Sequence, residues 1–166
     1  VYQALIAKLP EEERSYNLYS DAATVAFFLW TLSDNDNSLL KKAVEYYHKT
    51  IEIIQIDFPH MLKTKKELST HSTTFIKHSL DHVPSLIFMN AAQACFLLAN
   101  LSASDDNDDT TELDLNLKTY QYYTYAFWGH DLNAIDPHML VEYADTAYFM
   151  YLQTSSKEQN YFDKAY

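Results

Sequence analysis

Small and large apolar residues recur at helical spacing along the chain, and three stretches share one order of residues. In each stretch two alanines stand three positions apart and are followed by four large, mostly apolar residues; the first alanines are Ala23, Ala91 and Ala144. Alanines at this spacing lie on one helix face and let a neighbouring helix approach closely, while the larger residues fill the groove. The pattern therefore predicts three helices of one kind.

A second kind of helix follows the first kind. The segment Lys-Ala-Val-Glu-Tyr-Tyr at 42–47 reappears as Lys-Thr-Tyr-Gln-Tyr-Tyr at 118–123, and the motif begins again at Lys164. Proline, which is tolerated at the first position of a helix but not inside it, follows the second helix at Pro59 and Pro137. Each unit is thus predicted to be a helical hairpin that buries its apolar face by stacking on the next hairpin.

These patterns and the capping signals around them set the expected helix bounds. Pro10 and the three glutamates after it suit the positive end of a helix dipole, and Ser38 is the predicted N-cap of the next helix. Gly129 is placed to end a helix in a left-handed cap. The predicted helical segments are 2–9, 10–32, 38–56, 60–83, 84–101, 112–127 and 137–153, with a last helix beginning near 157.

The paired helices resemble tetratricopeptide (TPR) repeats. The residues that carry the resemblance are the small residues Ala26, Ala94 and Ala147 of the first helices, the small residues Ala43, Thr119 and Ala165 of the second helices, the aromatic residues Tyr47 and Tyr123, and the boundary prolines Pro59 and Pro137. The units are longer than the TPR repeat of about 34 residues, and they lack its glycine. The resemblance implies an all-α, right-handed stack of antiparallel helical hairpins, a TPR-like α-solenoid segment that offers a concave groove to a partner.

We expect residues 1–166 to form a single α-helical repeat domain. Its units would cover about 10–59, 84–137 and 137–166, and residues 60–83 would be a helical insertion without a counterpart in the repeat. The chain starts without methionine and stops inside a predicted helix, which indicates an excised part of a longer chain.

Charge and cysteine content narrow the partners and the compartment. The net charge of −11 argues against direct nucleic-acid binding, which needs surface lysine and arginine, and favours basic or mixed-charge protein partners unless it serves solubility alone. The single cysteine, Cys95, excludes an internal disulfide and is typical of an intracellular protein, cytoplasmic or nuclear. The most apolar stretch, 86–101, has 16 residues and is short for a membrane span.

Candidate chemical groups do not form a recognisable active site. His78 and His82 share a helix face but lack the glutamate of a zinc-protease motif, and the acidic stretches 34–45 and 105–116 lack the glycine of a calcium loop. The basic cluster at 63–66 is typical of a solvated helix face. We therefore expect no catalytic residue, no metal site and no cofactor, and the chain is predicted not to be an enzyme.

Tyrosines supply the predicted partner-binding residues. Neighbouring residues on a helix point in different directions, so the closely spaced tyrosines of the second helices cannot all be buried, and tyrosine is favoured at interfaces. The predicted partner-binding residues are Tyr46, Tyr47, Tyr122, Tyr123 and Tyr125. The favoured function is a scaffold that binds a peptide or helix of a partner protein. Two alternatives stay open: a purely architectural segment of a larger α-solenoid or multi-subunit complex, and an enzyme or metal protein that uses the pair His78 and His82.

Overall fold

The computed structural model describes residues 1–10, 13–33, 36–57, 85–102, 109–127 and 132–153. Within these ranges it contains α-helices, one short 3-10 helix and no strand, so the prediction of an all-α fold is confirmed for this part of the chain. The helices are α1 (Tyr2–Lys8), α2 (Tyr16–Leu32), α3 (Asn37–Asp57), α4 (Ser85–Ser102), α5 (Asp109–Phe127) and α6 (Pro137–Gln153), and the 3-10 helix is Leu132–Ala134.

The chain divides into two compact units, Val1–Ile87 and Phe88–Tyr166. In the first unit α2 and α3 form an antiparallel pair, because the short connection after Leu32 turns the chain back and the Tyr47 hydroxyl of α3 meets the Thr24 hydroxyl of α2 at 3.2 Å. The core of the pair places small residues of α2 against larger residues of α3. The buried residues are Tyr19, Ala22, Ala23 and Ala26 of α2, and Leu40, Ala43, Val44, Tyr47, Thr50, Ile51 and Ile54 of α3.

The start of α2 differs from the prediction. The helix begins at Tyr16 rather than at Pro10, because Ser15 adopts an extended backbone and its hydroxyl accepts a hydrogen bond from the Leu18 amide. The guanidinium Nε of Arg14 donates to the Leu9 carbonyl at 3.0 Å and ties this cap to the end of α1. The predicted end of the helix at Leu32 is confirmed.

An aspartate caps each of the two later helices whose preceding residue is described, α3 and α6. The Asp36 carboxylate accepts hydrogen bonds from both the amide and the hydroxyl of Ser38, so the predicted N-cap at Ser38 is wrong and Asp36 performs that role for α3. In α6 the Asp136 carboxylate accepts from the His138 amide at 2.9 Å, and Pro137 occupies the first helical position as predicted.

The second unit is held together by aromatic contacts. The Phe88 ring of α4 packs edge-on against the Tyr125 ring of α5, with centroids 5.8 Å apart. The Tyr143 ring of α6 stacks on Tyr120 of α5 at 5.4 Å and meets Phe127 edge-on at 5.5 Å. The small residues Ala91, Ala94 and Ala147 are fully buried, as their place in the repeat predicts.

Several predicted features lie outside the described residues. These are the insertion 60–83 with His78, His82 and the lysine cluster, the glycine cap at Gly129, and the helix predicted to begin near 157.

Candidate functional site

The five predicted partner-binding tyrosines divide into two groups by exposure. Tyr47, Tyr122 and Tyr123 are buried, whereas Tyr46 and Tyr125 are half-buried. Tyr46 lies beside Tyr19, with ring centroids 6.2 Å apart, and Tyr125 packs on Phe88. In this structure the three buried tyrosines therefore belong to the cores of the two units, and only Tyr46 and Tyr125 offer side-chain surface to a partner.

The helices α3 and α5, which carry the matching motifs at 42–47 and 118–123, bury residues at corresponding positions. Val44, Tyr47 and Ile51 of α3 are buried. The residues 76 positions later in α5, which are Tyr120, Tyr123 and Phe127, are buried as well. The spacing of three and four residues places each set on one face of its helix. The repeated tyrosine is thus a core residue in both helices.

The two fully buried tyrosines find different partners for their hydroxyls. Tyr47 meets the Thr24 hydroxyl of α2, the helix before it. Tyr123 donates to a carboxylate oxygen of Glu142 in α6, the helix after it. Burial first, and then the hydrogen bond and the charge of Glu142, raise the pKa of Tyr123 well above its usual range, so this hydroxyl stays protonated and remains a donor.

Cys95 is a buried group without the properties of a nucleophile. The residue is fully buried in α4, and burial raises the pKa of its thiol to about 12, against a small opposing effect of Lys118. A reactive cysteine needs a thiolate and access to solvent. Cys95 has neither, so it acts as a small apolar core residue, as its apolar surroundings in the sequence indicate.

An exposed apolar surface runs along α2. Val25, Phe28, Leu29 and Leu32, which we call the α2 stripe, stand at i, i+3, i+4 and i+7 and so share one helix face. Phe28 is 60% and Leu32 is 69% exposed. A run of large apolar side chains in contact with water is unfavourable unless a partner covers it, because roughly 25 cal/mol is gained for each Å² of apolar surface buried.

The sequence carried a signal for this surface that the tyrosine pattern obscured. Apart from Asp21, α2 has no charged residue, and its apolar residues extend beyond one core-facing stripe. A helix with apolar residues beyond its core-facing stripe is expected to contact more than one neighbour. Among the described residues of this unit, α3 covers the face with the alanines, and the α2 stripe is a candidate binding surface.

A cavity of about 480 Å³ lies at the open end of the α2–α3 pair. Its walls combine the beginning of α2 with the last turns of α3, including Arg14, Tyr19 and Ile53. The charged groups in it are of both signs, and two of them, Lys49 and Glu52, already pair with each other at 2.6 Å. This mixed lining does not single out one ligand chemistry.

No group of three or more histidine, cysteine, aspartate or glutamate side chains suited to a metal ion occurs among the described residues. The acidic stretches 34–45 and 105–116 are described only in part, since residues 34–35 and 105–108 lie outside the described ranges. Asp36 is exposed, and its hydrogen bonds from the Ser38 hydroxyl and amide lower the pKa of its carboxyl. Its carboxylate is thereby used as a helix cap.

The helix α4 is longer than the apolar stretch seen in the sequence. It has 18 residues with a mean hydropathy of 1.4, and by length and composition it could cross a membrane. However, 44% of these residues are buried inside the protein, and the core helix of a soluble protein meets the same criteria. The observation is weak support for a membrane segment.

Comparison with protein-family models, with curated protein sequences and with solved structures finds no match for this chain.

Proposed function

We propose that the chain is a protein–protein interaction scaffold, a right-handed stack of TPR-like helical hairpins that binds a helix or peptide of a partner protein. The observation that carries this proposal is the α2 stripe. It presents four large apolar side chains to solvent at the spacing with which helices pack on one another. Contiguous exposed apolar surface of this kind is typical of protein interaction sites.

The hairpin arrangement is supported by the equal registers of α3 and α5. Both helices bury residues at corresponding positions of the repeat, among them Tyr47 and Tyr123. Both also follow a helix whose paired alanines are buried, Ala23 with Ala26 and Ala91 with Ala94. Two units built on the same rule favour repetition of one hairpin, with binding surface on helix faces that the neighbouring hairpins leave open.

The net charge favours a basic or mixed-charge protein partner. We propose that the two meet inside the cell. The net charge of −11 opposes association with acidic proteins and with nucleic acid. The surface near Tyr46 carries the exposed acid Glu45, and the half-buried ring adds apolar area with a polar hydroxyl. We propose no enzymatic role, no cofactor and no membrane span.

The alternative is a purely architectural segment, in which the α2 stripe is covered by another hairpin of the same assembly. One observation favours it: the positions in α6 that correspond to Val25 and Leu29 are Thr146 and Met150, and both are buried. A face that is buried in α6 and open in α2 is expected where a further hairpin stacks on α2.

A pull-down with three baits tests the scaffold. The baits are the wild-type chain, Phe28→Ser/Leu32→Ser on the α2 stripe, and Val141→Ser/Leu152→Ser, which changes two exposed apolar residues of α6. The proposal expects a protein that the first and third baits capture and the second does not, with capture weakened by salt. Equal capture by all three baits would contradict a role for the α2 stripe, and no capture by any folded bait would favour the architectural alternative.

A further inference from the structure

The alanine pairs align α2 with α6 residue by residue. With Ala23 placed on Ala144 and Ala26 on Ala147, Asp21 corresponds to Glu142. Val25 then corresponds to Thr146, and Leu29 to Met150. These three positions lie at i, i+4 and i+8 and form one face of each helix.

In α6 the helix α5 contacts this face at Glu142, and the rest of the face is buried. Glu142 accepts the hydrogen bond from the Tyr123 hydroxyl, and the adjacent Tyr143 packs against rings of α5. Thr146 is 1% exposed and Met150 is 4% exposed. The acidic end of this face therefore binds a helix that carries tyrosine and other aromatic residues on one side.

In α2 the same face is open. Val25 is 41% and Leu29 is 46% exposed, and Asp21 is exposed as well. Within the part of the chain that the structure describes, the Asp21 carboxylate has no hydrogen-bond or ion-pair partner. The carboxylate and the apolar surface thus stand in the arrangement that α6 uses, without the helix that would complete it.

We propose that this face of α2 binds a partner α-helix carrying a tyrosine whose hydroxyl donates to Asp21 and whose neighbouring apolar residues, one turn away, cover Val25 and Leu29. The proposal rests on the scaffold function and names the chemistry of its partner. The tyrosine sets the register of the helix, since a buried hydroxyl needs an acceptor. The apolar residues supply most of the buried area.

A second copy of the chain fits this face less well than such a helix. If two α2 stripes packed on each other, their facing residues would be valine, phenylalanine and leucine, none of which can donate a hydrogen bond. Both Asp21 carboxylates would then be drawn towards an apolar interface without a donor from the stripe, which is costly. The tyrosine helix supplies that donor.

The test uses the α5 sequence as the probe, because α5 is the tyrosine helix that the chain itself binds. A fluorescent peptide of residues 109–127, locked as a helix by a lactam bridge to remove the cost of folding, is titrated with the full chain and followed by anisotropy. We expect saturable binding. Leu29→Glu should weaken it more than about tenfold, since a charge replaces buried apolar surface, and Val141→Glu, a control at an exposed position of α6, should leave it unchanged.

A double-mutant cycle tests the hydrogen bond itself. Asp21→Ala in the chain and Tyr123→Phe in the peptide should each weaken binding by about tenfold, and the two together should weaken it by hardly more than one alone. Additive losses, equal binding by Leu29→Glu, or self-association of the free chain through the α2 stripe would overturn the proposal. If the pull-down finds an α2-dependent partner and the peptide does not bind, the scaffold function stands and the tyrosine chemistry is wrong.

Discussion

Tyr47 and Tyr123 occupy the same position of the matching sequence segments 42–47 and 118–123, and their surroundings can be compared. Both are fully buried, and both second helices bury the positions around them in the same register. Their hydroxyls differ: one meets the neutral hydroxyl of Thr24 in the preceding helix, and the other meets the carboxylate of Glu142 in the following helix. The repeat sets the burial of the ring, and the local surroundings set the partner of its hydroxyl.

The contrast between Tyr47 and Tyr123 also bears on why one face of α2 is exposed while the corresponding face of α6 is buried. In the second unit the hydroxyl of the repeated tyrosine joins α5 to the next first helix, α6, through Glu142. In the first unit the corresponding acid, Asp21, is exposed, and no tyrosine of the described chain donates a hydrogen bond to it. The open face of α2 is thus the counterpart of a contact that the second unit makes internally.

The largest effect is expected from removing the two rings. Tyr47→Ala and Tyr123→Ala should each lower the free energy of unfolding by about 3–5 kcal/mol, because each leaves a large cavity in a core. Urea denaturation followed by circular dichroism measures this. Tyr148→Ala, at a position that is 47% exposed, is the matched control and should change stability by no more than about 0.5 kcal/mol. Equal costs at all three positions would contradict the common core role.

Substitution by phenylalanine, which removes only the hydroxyl, should lower the free energy of unfolding by different amounts at the two tyrosines. Tyr123→Phe should cost about 2 kcal/mol, since its hydroxyl bonds to a charged acceptor, and Tyr47→Phe about 1 kcal/mol, since its partner is neutral. Glu142→Gln keeps an acceptor oxygen and should cost less than Tyr123→Phe. The same urea denaturation reports all three changes. A larger cost for Tyr47→Phe than for Tyr123→Phe would reverse the assignment.

High pH should destabilise the second unit through Cys95. Its pKa is raised from 9.0 to about 12 in the folded chain, so the folded state resists loss of the proton. The stability from this group is complete below pH 9.0 and falls as the pH rises towards 12, with a loss on the order of 1 kcal/mol between pH 8 and 10. Denaturation at several pH values, compared with Cys95→Ala, measures it. If the free energy of unfolding of the wild type and of Cys95→Ala changed equally with pH, the raised pKa would be contradicted.

The helix caps should give the smallest effects. Asp136→Ala should cost about 1 kcal/mol and Asp136→Ser much less, because serine also caps α6. Asp36→Ala should destabilise α3 at neutral pH. Because the pKa of Asp36 is lowered in the folded chain, its contribution is present above pH 3.8 and is lost as the pH falls through the lowered pKa. Thermal unfolding of wild type and variant should therefore converge in acid, and a constant difference would contradict this capping role.

Periodicity predicted the helices well and their caps poorly. The bounds of α6 and the end of α2 follow from proline and from the end of an apolar run. The start of α2 does not, because the choice between Pro10 and Ser15 depends on the Arg14 bond to the Leu9 carbonyl, a contact that no local pattern contains. The cap of α3 falls on Asp36 because its carboxylate reaches two donors of Ser38 at once.

The candidate site was less predictable than the fold. Tyrosine content indicated interfaces, but burial of Tyr47, Tyr122 and Tyr123 depends on which helix face meets a neighbour, and that is a tertiary property. The near absence of charge in α2 hinted at the α2 stripe, but only the exposure of its residues in the folded chain identified it. Residue type alone does not distinguish a buried valine or leucine from an exposed one.

Disulfide trapping tests most directly whether α2 binds a tyrosine helix in the register of α5 on α6. The chain with Val25→Cys, which keeps Asp21, is mixed with the locked α5 peptide, which keeps Tyr123 and carries either Thr119→Cys or, as the control, Gln121→Cys, and thiol exchange is allowed to reach equilibrium. With the peptide antiparallel to α2, the residue one turn before Tyr123 faces the residue one turn after Asp21. Cys95 does not interfere because it is fully buried and its pKa is raised to about 12. We expect the crosslink with the cysteine at 119 and much less with the cysteine at 121. Equal crosslinking at both positions would contradict the proposed register, and with it the equivalence of α2 and α6.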